Sequence, residues 1–230
     1  MREFSVYLDG LHAVFVVDPA NKFDYCEFKD NPVEICVHHT GDAIKTVEEV
    51  YAEGVKNYRQ PMYHFVIDKH GKIYQMLPIN VMGSHTVLKD EKSFGIALLN
   101  VVSPSSITDA MRYSLQALIS HLSKKYPIKS VKTHFDVHIE GITDVLEKID
   151  IGAEHLFTQE ELESLSGELT KDNVETFKRN LKEKVDLIDV EDLIKTVLVQ
   201  RIESMDNCPG TYVLKGLELN SLLEETLKSE

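Results

Sequence analysis

Three places in the 230-residue chain carry the side chains best suited to chemistry: the pair His38-His39, the single His134, and the segment Lys148-Ile149-Asp150-Ile151-Gly152. Two imidazoles and a carboxylate make a three-ligand zinc set whose fourth position is open to water, the catalytic kind of site. A closed structural site needs four protein ligands, and no CxxC or other paired motif offers them. Each residue alone is weak evidence, because a lone histidine is more often a surface or satisfied core residue than a ligand. Successive side chains on a strand point to opposite faces, so one of His38 and His39 can join a given site and the other cannot. Periodicity does not choose between them. Cys36 shares the strand face of His38 by the same rule, and its plain reading is a buried thiol.

The elements around these residues must hold them. Glu34 to His39 reads as a short strand that ends in the histidine pair, and Val131 to Thr133 as a last strand that delivers His134 at its end. Asp9-Gly10 between Phe4–Leu8 and Leu11–Val17 is a hairpin turn signal. Tyr63 to Ile67, the turn Asp68-Lys69-His70-Gly71 and Lys72 to Leu77 make a second hairpin, and Phe94 to Leu99 a further strand. Apolar residues at helical spacing predict helices over 43–58 and 107–125, the latter capped at Thr108-Asp109 with Met111, Leu115, Leu118, Ile119 and Leu122 as its stripe. From residue 158 the character changes to 17 acidic against 9 basic side chains. This stretch reads as helices near 171–183 and 189–203 with solvated faces, a capping box at Thr158 and Glu161, and a turn at Asn207-Cys208-Pro209-Gly210.

Composition narrows the function. A content of 43% hydrophobic and 27% charged residues is that of a globular protein. The net charge of −13 argues against nucleic acid as a partner, since affinity for phosphate backbones rests on clustered Lys and Arg. No run of about 18 apolar residues could span a bilayer, and the first residues lack the basic and apolar regions of a secretory signal. Three widely spaced cysteines, Cys26, Cys36 and Cys208, argue against a disulfide framework.

The blocks Ile35-Cys36-Val37-His38-His39-Thr40, Met62 to Gln75, Ser93-Phe94-Gly95-Ile96-Ala97-Leu98, Thr133-His134-Phe135-Asp136 and Lys148 to Gly152 resemble, in their order, the type-2 N-acetylmuramoyl-L-alanine amidases, which include amidase-type phage lysozymes and peptidoglycan recognition proteins. The resemblance covers residues from about 30 to 157. It implies an α/β fold: a central mixed β-sheet flanked by helices, with the acidic, mostly helical extension outside it. The domains would be 1–157, with a core of 30–157 and an N-terminal hairpin over 1–30, and an extension over 158–230.

The same resemblance implies a zinc ion held by His38, His134 and Asp150. Tyr63 matches a tyrosine beside the reacting water, and Lys148 a basic residue facing the scissile carbonyl. His39, Thr40 and His85 match the substrate groove, whereas His64 faces away from Tyr63 and reads as structural. The implied activity is hydrolysis of the amide between N-acetylmuramic acid and L-alanine in peptidoglycan, as in an endolysin made in the cytoplasm and acting on the wall after release. The alternative is a peptidoglycan-binding protein of the same fold without catalysis, and the third ligand separates the two. The tail helices would pack on the core or on a second copy of the chain. Three departures stand out: fifteen residues, read as a loop, separate His134 from Asp150; Ile151 replaces a common proline; and Ala97 stands where a glutamate is common.

Overall fold

The computed structural model describes residues 1–8, 10–18, 20–41, 45–86, 89–101, 106–158, 160–161, 171–203 and 205. Strands β1 (Arg2–Leu8), β2 (Leu11–Val17), β3 (Glu34–His39), β4 (Phe65–Ile67), β5 (Ile73–Gln75), β6 (Ser93–Leu98) and β7 (Ser130–Thr133) form one seven-stranded sheet in the order β1-β2-β5-β4-β6-β3-β7. The two hairpins pair antiparallel, β1 with β2 and β4 with β5. Every other neighbouring pair is parallel, so the sheet is mixed, as expected. The first hairpin closes with Leu8 opposite Leu11 and Gly10 at φ 91°, a left-handed turn position that glycine takes without a Cβ clash. Asp9 lies outside the described residues.

One face of the sheet carries Ile35, Val37, Phe65, Ile67, Ile96 and Leu98 and packs against Met111, Leu115, Leu118, Ile119 and Leu122 of α2 (Asp109–Lys125). That stripe is the one the spacing predicts, and Thr108 caps the helix by accepting a hydrogen bond from the Met111 amide at 3.1 Å. Burying each such side chain contributes about 1.5–3 kcal/mol, so this layer fixes the sheet as a rigid platform. The other face meets α1 (Val47–Tyr58) through Val47, Val50 and Tyr51, with Val66 and Ala97 beneath them. This helix begins at residue 47 because Thr46 and Glu49 form a capping box; Ala43 is outside the described residues.

The segment after β7 departs from expectation. What the sequence suggests to be a loop is α3 (His134–Glu147), started by a capping box in which Thr133 Oγ1 accepts from the Asp136 amide at 3.1 Å and Asp136 Oδ2 accepts from the Thr133 amide at 2.9 Å. Phe135, Ile142 and Leu146 lie on its apolar face at i, i+7 and i+11, and this face is buried against α4 (Lys171–Leu187) and α5 (Asp192–Glu203). Phe177, Leu181, Val185, Leu198 and Ile202 complete that cluster. The Thr158 and Glu161 capping box is present, with hydrogen bonds of 2.8 and 3.1 Å. The turn at residues 207–210 and Cys208 lie outside the described residues. Among those residues no helix is long and apolar enough to cross a membrane.

Candidate metal centre

The site forms where two parallel neighbours end. Strands β3 and β7 pair with Val37 opposite Thr133, so the next residues stand side by side at the carboxyl ends of these strands: His38, still paired with Ala97 of β6, and His134, the first residue of the following helix. Crevices outside the carboxyl ends of parallel strands are where open α/β sheets bind ligands. The rings of His38 and His134 have centroids 4.8 Å apart, and both residues are buried. Cys36 and His38 share the sheet face opposite α2, where their register partners on β6 are the small residues Gly95 and Ala97. The room above Gly95 is taken by His85: a Cβ there would lie 2.5 Å from the His85 ring.

His85 is locked on both sides. Its Nε2 lies 3.3 Å from the Ser93 carbonyl, which only accepts, so this nitrogen carries the proton. The bare Nδ1 then accepts from His38 Nε2 at 3.1 Å. His38 is thereby held in the tautomer whose lone pair is on Nδ1. The Asp90 carboxylate fixes the His85 loop by accepting the His85 and Thr86 amides at 3.0 and 2.7 Å. Burial raises its pKa to about 6 despite these bonds.

On α3, His134 is the first helical residue and His138 stands one turn later on the same face. Their Nε2 atoms are 3.0 Å apart. His138 is 7% exposed, and its Nδ1 is buried without a hydrogen-bond partner.

Burial keeps all these imidazoles neutral. It is the largest cause for His38, which is lowered well below 6.5, with the neighbouring His134, His85, His39 and His138 adding to it. Burial followed by His138 takes His134 to about 3, and burial followed by Arg201 and Lys178 takes His138 to about 4. Neutral imidazole is the form that binds metal. Buried, uncharged imidazoles are therefore donors of the right chemical kind for a metal ion. Among the described residues, the one group of three or more His, Cys, Asp or Glu with ligand atoms all within 4.8 Å of one another is Cys36, His38 and His85.

The other residues singled out by the sequence divide clearly. Tyr63 is half-buried and packs its ring 5.1 Å from that of His38 and 6.5 Å from that of His85. His39 Nδ1 donates to the Val101 carbonyl at 2.8 Å, with its Nε2 buried and unpaired. Thr40 Oγ1 accepts from the Asn100 amide at 2.8 Å, an anchor for the turn after β6. His64 is structural, as alternation suggests: its Nδ1 accepts from the Gly95 amide at 3.0 Å and its Nε2 donates to Val81 O at 2.8 Å.

Asp150 and Lys148 do not join the histidines. Lys148 is the C-terminal cap of α3 and Asp150 follows it at φ 58°, both exposed. A 14-residue helix rises about 20 Å, and this length separates His134 from both. The physical reason is the helix itself, since a loop of fifteen residues could have doubled back and α3 cannot. Sequence reasoning missed His138, although the spacing His134-x-x-x-His138 puts two imidazoles on one helical face.

No curated protein matches the chain. Among solved structures, the endolysin amidase LysCS from Clostridium intestinale URNW is 32% identical over 51% of this chain and 81% of its own, at a TM-score of 0.44. The Ph2119 endolysin from a Thermus scotoductus bacteriophage is 22% identical over 52% and 81%, at 0.46. A Drosophila PGRP-LB mutant in complex with tracheal cytotoxin is 19% identical over 50% and 76%, at 0.44. The family described as N-acetylmuramoyl-L-alanine amidase matches residues 29–153, which is 125 of the 230 residues and takes in the whole histidine cluster. On that match over more than half its length, the chain belongs to the N-acetylmuramoyl-L-alanine amidase family.

Proposed function

We propose that the chain is a zinc-dependent hydrolase of the amide bond between N-acetylmuramic acid and L-alanine, acting on the cell wall as endolysins do. The observation that carries this reading is the convergence of His38 and His134 from different elements, rings 4.8 Å apart, both buried and neutral. These two would hold zinc. When bound, the ion supplies polarisation of the scissile carbonyl and acidification of water toward a pKa of about 7.

The chain's own residues would do the rest. His85 holds the His38 ring in one tautomer, so that its lone pair faces away from the β6 side. Tyr63 packs its ring on His38 and would place a phenol O–H beside the reacting carbonyl, a donor for developing negative charge. Peptidoglycan is the partner this reading requires.

One observation favours a second reading. The acidic residue matched to the third ligand, Asp150, is exposed at the far end of α3, and a groove without a complete ligand set would bind peptidoglycan without cutting it. Digestion of purified cell wall decides between them. Hydrolysis predicts new free amino groups from L-alanine with no new reducing sugar ends, and mass spectrometry should find intact stem peptides released. Binding to wall fragments without such products would leave the non-catalytic reading standing.

A further inference from the structure

We propose that Cys36, His38 and His85 form a second metal position in this chain, on the β6 side of the His38 ring, which takes one soft cation such as cadmium or copper(I) and, when filled, withdraws His38 from the zinc position of the hydrolytic reading. The withdrawal rests on that reading; the second position does not.

The three side chains converge from two places. Cys36 and His38 stand two residues apart on one face of β3, opposite the small residues Gly95 and Ala97 of β6. His85 reaches the same spot from the loop before β6, and its ring fills the room that a Cβ on Gly95 would need, 2.5 Å away. One ligand atom from each of the three lies within 4.8 Å of the other two, and all three residues are buried. His38 Nε2 and His85 Nδ1 are 3.1 Å apart. Two nitrogens on a tetrahedral ion of zinc's size keep about 3.3 Å between them.

His85 is already set up as a ligand. Its Nε2–H donates to the Ser93 carbonyl at 3.3 Å, which leaves Nδ1 bare and aimed at His38. Metal-bound histidines regularly donate their other N–H to a carbonyl in this way. The Asp90 carboxylate holds the loop in place through the His85 and Thr86 amides, at 3.0 and 2.7 Å. A thiolate beside two imidazoles is a donor set for soft and borderline ions.

The proton balance sets the consequence. Binding breaks the S–H bond of Cys36 and forms a sulfur–metal bond, and that proton goes to solvent. The His38 proton leaves Nε2, which binds the ion, and moves to Nδ1. A neutral imidazole carries one ring proton, so His38 Nδ1 then has no lone pair to give to zinc. The two positions exclude each other through a single ring, and a soft metal on the β6 side switches off the other.

The test uses the full-length protein with Cys26→Ser and Cys208→Ser, so that Cys36 is the one remaining thiol. It is stripped with chelator and titrated with cadmium. We expect one equivalent bound, an ultraviolet thiolate-to-cadmium charge-transfer band, and about one proton released per ion. Adding His85→Ala should raise the cadmium needed for the band by at least about 100-fold, the upper end of what an outer-sphere change produces. Adding His134→Ala should leave the titration where it is. His85→Cys should bind cadmium with a taller band, since two thiolates then face the ion, and this gain guards against a folding defect in the alanine variant. In zinc-loaded protein, cadmium should stop wall hydrolysis as the band rises. With Cys36→Ser the cadmium required, measured against that variant's own rate, should rise on the order of 10-fold or more, as befits a lost ligand. No thiolate band in the sole-thiol protein, a band unmoved by His85→Ala, or one lost with His134→Ala would overturn the second position and leave the hydrolase reading standing. Equal inhibition with and without Cys36 would overturn the exclusion between the two positions. A cadmium band without any wall hydrolysis by the zinc-loaded protein would overturn the hydrolase reading, and the exclusion with it, but not the second position.

Discussion

His38 Nε2 lies 3.1 Å from His85 Nδ1, and because His85 spends its own proton on the Ser93 carbonyl, the orientation of the His38 ring is dictated from the β6 side of the sheet. Replacing His85 by alanine should leave the sheet intact and weaken zinc binding by about 10–100-fold, the usual effect of losing a partner behind a ligand. Chelator competition with circular dichroism as a control measures this. Unchanged affinity would show that His38 does not need the hydrogen bond.

Gly95 is the counterpart of that contact. A Cβ at this position would lie 2.5 Å from Cδ2 and Cγ of His85, and 2.9 Å from its Nε2. Gly95→Ala must push the ring away from Ser93 or shift β6. We expect a stability loss of about 1–3 kcal/mol from overpacking, read from urea unfolding, together with a fall in zinc affinity similar to that of His85→Ala.

Acid should destabilise the metal-free protein steeply. His39, His64 and His138 are depressed to about 4 and His134 to about 3, in each case chiefly by burial, while unfolded histidines titrate near 6.5. Between those limits the unfolded chain binds protons that the native one does not, so stability falls as pH drops from about 6.5 toward about 4 and the loss ends below the native values. Asp90 and Asp136, both raised by burial, work in the opposite direction and offset part of it. Urea midpoints at pH 7, 6 and 5 should fall in that order. A flat profile would mean that the imidazoles are solvated in the native state.

Lys148 and Asp150 are both exposed beyond the end of α3. Lys148→Ala should therefore alter stability by no more than about 0.5 kcal/mol, as surface substitutions usually do, and leave wall hydrolysis within about 2-fold of wild type. A large loss of turnover at constant zinc content would show that this lysine reaches the substrate.

Much of this arrangement is legible in the sequence because it is local. Asp9-Gly10 marks a hairpin, Thr108 and Thr158 mark helix starts, and the α2 stripe from Met111 to Leu122 repeats at helical spacing. The His38 and His134 positions follow from strand ends plus the family resemblance. What misled was giving the resemblance priority over residues 134–150. The Thr133-x-x-Asp136 capping spacing, followed by apolar Phe135, Ile142 and Leu146, already signals a helix. The sheet order is different in kind: β2 lying parallel to β5 is a long-range pairing that no local pattern encodes.

α3 has two unlike sides. Its N-terminal end carries His134 and His138, one turn apart, while Phe135, Ile142 and Leu146 are sealed under Leu181, Leu198 and Ile202. Truncating Leu198 to alanine should cost about 2–5 kcal/mol, by thermal or urea melts, and loosen the grip on zinc without touching a ligand. The acidic C-terminal helices thus act as a buttress for the edge that carries His134. An engineer who trimmed the chain after residue 157, hoping to graft a wall-targeting module there, would be removing the surface against which the helix that carries His134 leans.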